Sequence, residues 1–286
     1  MKNSNMQNIL LAGIPRSGTT LACALLNRLP NVAALAEPMD VSLFAARPSP
    51  QDWFALLDDY FAATRTAISA HGCAEAKLGT ADSEENYFLI ETESGLRRDS
   101  GEKKMQAFTN IRSPDFTLVI KHPNAFSAML GGLGGRYPVY AMIRNPLAVL
   151  ASWNSIEAAF RTGHAPMAEA LCPALEERLA RIADEGERQL ALLSWYFEQY
   201  QRFLPTERII RYEDMIASGG TALAALLPAA AGLAEPLRSK NSNPAYAAIA
   251  VRELAARLLD NEGVYWQFYS RAAVRELLAS AQANLA

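Results

Sequence analysis

The strongest constraint on this chain lies near its start, in Ile9-Leu10-Leu11-Ala12-Gly13-Ile14-Pro15-Arg16-Ser17-Gly18-Thr19-Thr20-Leu21. An apolar run breaks into a turn of Gly, Pro and Ser and then into helix-forming residues, which reads as strand, phosphate loop and helix. Gly13 and Gly18 free the backbone to curl. The following helix, expected over 21–29, points unpaired N–H groups and the positive end of its dipole into the loop, so an anion belongs there. The spacing Gly13-x-x-x-x-Gly18 is that of a Walker-type loop with one change: Thr19 stands where the lysine would be, and a cation sits at Arg16 inside the loop. A nucleotide triphosphatase uses that lysine on the β- and γ-phosphates, so this loop is poorly built for Mg-ATP.

Three further strands are expected to end in polar motifs. The run 32–36 ends at Glu37-Pro38, 116–120 at Lys121-His122-Pro123, and 139–143 at Arg144-Asn145-Pro146. The last is apolar without alternation, as in a parallel strand buried on both faces. The fold class expected is therefore α/β, with a central parallel sheet flanked by helices. In such a sheet the carboxyl ends of the strands share one edge and ligands bind there, so the loop, Glu37, Lys121-His122 and Arg144 should face one cavity. Asn145 and Pro146 suit the cap and first position of a helix. Ser152 lies seven residues past Asn145, nearly two turns, on the face where a phosphate could meet it and Arg144 together.

At 286 residues the chain can hold a full core, and we read 1–286 as a single domain. Helical spacing marks 51–70, 125–130 (ended by glycines over 131–135) and one or two helices over 174–204. The stretch 75–115, mixed in charge and holding Arg97, Arg98, Lys103 and Lys104, reads as a lid or acceptor-side insertion, or else as a solvated loop. Residues 208–215 read as a strand ending in an acidic turn, and from about 216 the chain is helical. A net charge of −3 excludes a broad nucleic-acid footprint. No apolar run reaches membrane-span length. Three separated cysteines without metal-ligand spacing and a polar start lead us to expect a cytoplasmic protein without a metal site.

Pro15-Arg16-Ser17-Gly18-Thr19-Thr20 closely resembles the 5′-phosphosulfate loop of sulfotransferases that use 3′-phosphoadenosine 5′-phosphosulfate (PAPS). The stretch from Arg144 to Ser152 resembles that family's 3′-phosphate motif, with arginine and serine eight positions apart. The resemblance runs from about residue 7 to 215. It implies a P-loop-like three-layer fold and PAPS as co-substrate, held by Arg16, Ser17, Gly18, Thr19 and Thr20 on the 5′ side and by Arg144 and Ser152 on the 3′ side. It also implies Tyr212 near the adenine and a basic loop at Arg238 and Lys240, although the family's usual Arg-Lys-Gly triplet is absent here. The first loop looks more like the tyrosylprotein and bacterial branches than the cytosolic phenol branch.

The reaction so implied is in-line transfer of a sulfuryl group to a hydroxyl or amine, with Arg16 and Lys121 supplying positive potential at the leaving group. Two residues compete for the general base. Glu37 stands seven residues past Pro30, as the tyrosylprotein branch has its glutamate. His122 follows Lys121 directly, one position short of the cytosolic branch's Lys-Thr-His. The acceptor is a small molecule, glycan, lipid or peptide that the sequence does not specify. A nucleotide or small-molecule kinase, or a non-catalytic nucleotide-binding protein, remains the alternative; the missing loop lysine and the lack of a strand-ending aspartate count against the kinase.

Overall fold

The computed structural model describes residues 7–47, 49–79, 86–93, 95–241, 243, 246 and 251–283. In chain order the first half comprises β1 (Asn8–Gly13), α1 (Thr19–Leu26), β2 (Val32–Ala36), α2 (Ser42–Ala45), α3 (Pro50–His71), β3 (Cys73–Leu78), β4 (Phe88–Glu91), β5 (Arg97–Asp99), β6 (Glu102–Ala107), β7 (Thr117–Lys121), α4 (Pro123–Leu133) and β8 (Val139–Ile143). The second half comprises α5 (Pro146–Asn154), α6 (Pro166–Leu171), α7 (Pro173–Ala180), α8 (Glu185–Phe203), β9 (Ile209–Arg211), α9 (Tyr212–Ala217), α10 (Val251–Asp260) and α11 (Arg271–Ala283).

The central sheet is an α/β sheet of five strands in the order β2-β7-β1-β8-β9. Every neighbouring pair within it is parallel. Successive side chains of a strand face opposite ways, and the core divides accordingly. Leu10, Leu35, Leu118, Ile120 and Ile143 pack with α3, α4, α5 and α8 on one face. Ile9, Leu11, Ala34, Val119, Met142 and Ile210 pack with α1 and α9 on the other. Apolar side chains on both faces of each strand are what remove the alternation from the sequence.

Several elements differ from expectation, each for a visible reason. Helix α4 runs through Gly131 and Gly132 instead of stopping at them. A Cβ on Gly131 would lie 3.1 Å from the Phe203 ring, and one on Gly132 2.6 Å from the Trp53 ring. Close packing, not a break, calls for glycine there. The acidic turn expected after β9 is the first turn of α9, where Glu213 and Asp214 favour the helix dipole. The stretch 75–115 is not irregular throughout: β3 pairs antiparallel with β6, and β4 with β5. The backbone of Arg97 bridges this stretch to Ile156, just past α5.

Candidate active site

The parallel register sets the site. Lys121, the last residue of β7, stands opposite Leu11 of β1 and Ala36 of β2. The next residue, Glu37, turns with φ of 47° and donates its N–H to the Lys121 carbonyl at 2.8 Å. Lys121 Nζ donates to Glu37 Oε1 at 2.6 Å and to Thr20 Oγ1 at 3.3 Å. Lys77, on β3, lies 3.7 Å from Glu37 Oε2 and ion-pairs with Asp99. The Tyr87 ring sits beside both ammonium groups, 5.1 Å from Lys77 Nζ and 5.3 Å from Lys121 Nζ. Burial pushes the Glu37 carboxyl up, but Lys121 and Lys77 outweigh it and hold it down at about 2.

His122 is tied differently. It is 5% exposed, packs edge-on to Phe126, and its Nε2 accepts the Met39 backbone N–H at 3.1 Å. The neutral ring then carries its proton on Nδ1 and has no lone pair left for a substrate proton. Burial pushes the imidazole down to about 3, so the folded protein keeps it neutral. A depressed pKa stabilises the fold fully above the unfolded value near 6.5 and progressively less as pH falls from there towards about 3. Over that window wild type should lose up to ~1.4 kcal/mol per pH unit from this group alone. Thermal unfolding of His122→Gln across the same range should lack that component; parallel profiles would refute it.

The phosphate loop begins where Gly13, with φ of 156°, leaves β1. A Cβ on Gly13 would meet Thr19 Cγ2 at 2.7 Å and the Met142 carbonyl at 2.9 Å, so only hydrogen fits. Gly18 caps α1 with φ of 87°, and a Cβ there would strike the Tyr212 ring at 2.7 Å. Ser17 holds the loop down: its Oγ donates to the Met142 carbonyl at 2.9 Å and its N–H to Ile14 O at 3.0 Å. Its hydroxyl therefore pins the loop to β8, and Ser17 does not line the cavity. Trp153 Nε1, from α5, holds the Pro15 carbonyl at 3.0 Å. Thr19 and Thr20 open α1 and line the cavity.

Arg16, with φ of 75°, donates Nε to Ser152 Oγ at 3.1 Å and lies 4.6 Å over the Phe88 ring. Its backbone carbonyl accepts from Arg144 at 2.8 Å. Arg144 also donates to Asn241 Oδ1 at 2.7 Å and to the Lys240 carbonyl at 2.6 Å, and stacks 4.6 Å over Tyr212. The Tyr212 hydroxyl accepts the Lys240 N–H at 2.9 Å. Tyr212 thus lies between the phosphate loop and the basic loop, and Arg238 and Lys240 stand exposed at the cavity rim. Asn145 caps α5 as expected, its side chain accepting from Leu147 N–H.

These groups surround a cavity of about 1030 Å³ lined by Arg16, Thr20, Glu37, Lys121, Arg144 and Tyr212 among others. Ser152 is buried beneath Arg16 and bonded to Tyr246. The structure thus gathers the four strand-end motifs at one edge. The Arg16 guanidinium donates to Ser152 within the field of Arg144.

No protein-family model matches the chain, and no curated protein matches it in sequence. Several solved structures are similar to it, among them two sulfotransferases. One is the sulfotransferase STF1 from Mycobacterium tuberculosis, with TM-score 0.35, 14% identity, and 88% of this chain and 76% of that one covered. The other is the sulfotransferase STF9 from Mycobacterium avium, with TM-score 0.35, 14% identity, and 96% of this chain and 76% of that one covered. Scores this low leave the function to the geometry of the site.

Sequence reasoning missed Lys77, Tyr87, Arg97 and Tyr246, all of which line the same cavity. Arg97 had one signal, its place in a basic cluster within 75–115. Lys77 and Tyr87 come from the β3 strand and the stretch before β4, where no periodic pattern points at the sheet edge.

Proposed function

We propose that this chain is a sulfotransferase that moves the sulfuryl group of PAPS to a hydroxyl or amine of an acceptor. The observation that carries the reading is the pairing of two anion subsites along one sheet edge. One is the glycine loop at the start of α1 with Lys121 beside it; the other is the Arg16, Arg144 and Ser152 group. A nucleotide with phosphates on both its 5′ and 3′ positions matches two such subsites, whereas ATP offers a single chain of phosphates. The residues fit that donor chemically: the N-terminus of α1 at Gly18, Thr19 and Thr20 opens onto the cavity with Lys121 beside it, and Arg16 and Arg144 have no carboxylate partners among the described residues.

In this reading the loop and Thr20 hold the 5′ end and Arg144 and Ser152 the 3′-phosphate, with Tyr212 and the rim residues Arg238 and Lys240 alongside. The S–O bond to the 5′-phosphate breaks as the acceptor oxygen bonds to sulfur. Lys121 stabilises the charge gathering on the departing phosphate, and Glu37 takes the acceptor's proton. Phe88, Phe160 and Met167 give the cavity an apolar wall for the acceptor.

Calorimetric titration with 3′-phosphoadenosine 5′-phosphate (PAP) and with AMP tests the reading. PAP should bind far more tightly, and Arg144→Ala should remove at least about tenfold of the preference, since a charged hydrogen bond is worth ~1.5–3 kcal/mol. Equal affinities in wild type would overturn it. Tighter binding of Mg-ATP than of PAP would favour a kinase.

A further inference from the structure

Among the guanidiniums that line the cavity, Arg97 belongs to neither phosphate motif nor to the basic loop, and unlike Arg28, which pairs with Glu235, it has no carboxylate partner among the described residues. Arg97, on β5, is fixed through its backbone: its N–H donates to the Ser155 carbonyl at 3.1 Å and its carbonyl accepts from Glu157 N–H at 2.9 Å. These contacts tie it to the end of α5, the helix that carries Ser152. One Arg97 N–H donates to Ser155 Oγ, while its Nε is buried without a hydrogen-bond partner. A buried donor without an acceptor is costly, and such groups in folded proteins call for an explanation.

Its neighbours sharpen the question. The charges of Arg16 and Arg144 act on one another and on Arg97. Among the described residues no Asp or Glu lies within ion-pair distance of any of the three. Like charges gathered in a partly desolvated place repel one another unless an anion joins them. Asp99 acts on Arg16 from beyond ion-pair distance, and the acidic group hydrogen-bonded within the cluster is the hydroxyl of Tyr246, 5% exposed and bonded to Ser152. Burial raises that hydroxyl's pKa, yet Arg144, Ser152, Arg16 and Arg97 together bring it below the ordinary tyrosine value. Three guanidinium charges and a hydrogen bond from Ser152 thus act on one oxygen.

We infer that Arg97 is a third guanidinium ligand for the nucleotide's 3′-phosphate, joining Arg144 and Ser152, and that the Tyr246 hydroxyl holds the place of a phosphate oxygen in the free protein. This rests on the nucleotide reading above, and it draws the β4–β5 pair into donor recognition. A phosphate oxygen would give Arg97 Nε the acceptor it lacks and would neutralise the cluster.

Calorimetric titration of PAP and AMP into wild type, Arg97→Ala, Arg97→Gln and Tyr246→Phe tests this, with thermal unfolding of each free protein as a check on folding. Arg97→Ala should weaken PAP by about tenfold or more and AMP less than about twofold. Arg97→Gln, which can still reach Ser155, should match it and stands in should the alanine variant fail to fold. Tyr246→Phe should tighten PAP severalfold, because the competing hydroxyl is gone. Equal binding of PAP and AMP by wild type would overturn the nucleotide reading and this inference together. A wild type that prefers PAP, with variants at Arg97 that keep the preference within about twofold, would overturn the role of Arg97 alone. Unchanged or weaker PAP binding by Tyr246→Phe would overturn the role of its hydroxyl.

Discussion

Glu37→Gln should cut turnover by about 10²–10⁴ while leaving PAP affinity within a few-fold, because in the proposed mechanism it removes the base and little else. The amide oxygen can still accept from Lys121, whose Nζ lies 2.6 Å from Oε1, so the local packing survives. A carboxylate held at about 2 by two lysines is a weak base towards a free alcohol. It need not be strong. As the acceptor oxygen bonds to sulfur its proton grows acidic, and the carboxylate takes it late in the transition. His122, with Nε2 occupied by Met39 N–H, offers no competing lone pair. Turnover of Glu37→Gln and His122→Ala at saturating donor, followed by mass spectrometry of the sulfated acceptor, separates the two. A near-normal Glu37→Gln beside a dead His122→Ala would reverse the assignment.

Lys121→Met should lower kcat by about 10²–10³ with a much smaller change in the Kd of PAP. Lys121 is 2% exposed, so its charge acts at low dielectric, where it counts most against the charge that builds on the leaving phosphate. Methionine keeps the apolar stem, one heavy atom shorter, and deletes the cation. The variant also releases Glu37 from its nearest positive partner while Lys77 remains 3.7 Å away, so the carboxyl should titrate at higher pH. Comparing kcat with the Kd of PAP settles the role: equal losses in both would make Lys121 a ground-state anchor instead.

The elements that carry the site were legible because burial on both faces of a parallel strand leaves an unbroken apolar run. Such runs ended at Gly13, Glu37, Lys121 and Arg144, and parallel pairing then leaves them no choice but one edge. What escaped lay where no periodicity exists. Arg97 and Tyr246 reach the cavity from segments distant in sequence, and a residue-by-residue reading has no means of joining them. Gly131 and Gly132 misled for a different reason: a glycine chosen for the closeness of Trp53 and Phe203 looks the same in sequence as one chosen to end a helix. The pairing of Glu37 with Lys121 followed from the register of β2 on β7, in which Ala36 stands opposite Lys121. That the His122 ring nitrogen accepts Met39 N–H is visible only in the structure.

Among the described residues, the backbone takes positive φ at Arg16, Asn31 and Glu37 outside glycine. Asparagine adopts that conformation readily, whereas for a side chain such as Arg or Glu it costs roughly 1–2 kcal/mol. Glycine at 16 or 37 would relieve the strain at a cost of about 0.5–1 kcal/mol in chain entropy. The chain instead keeps a long charged side chain at both places, one in the phosphate loop and one beside the buried lysine. On the proposed function, strain is carried at the two positions whose side chains meet the donor and the acceptor.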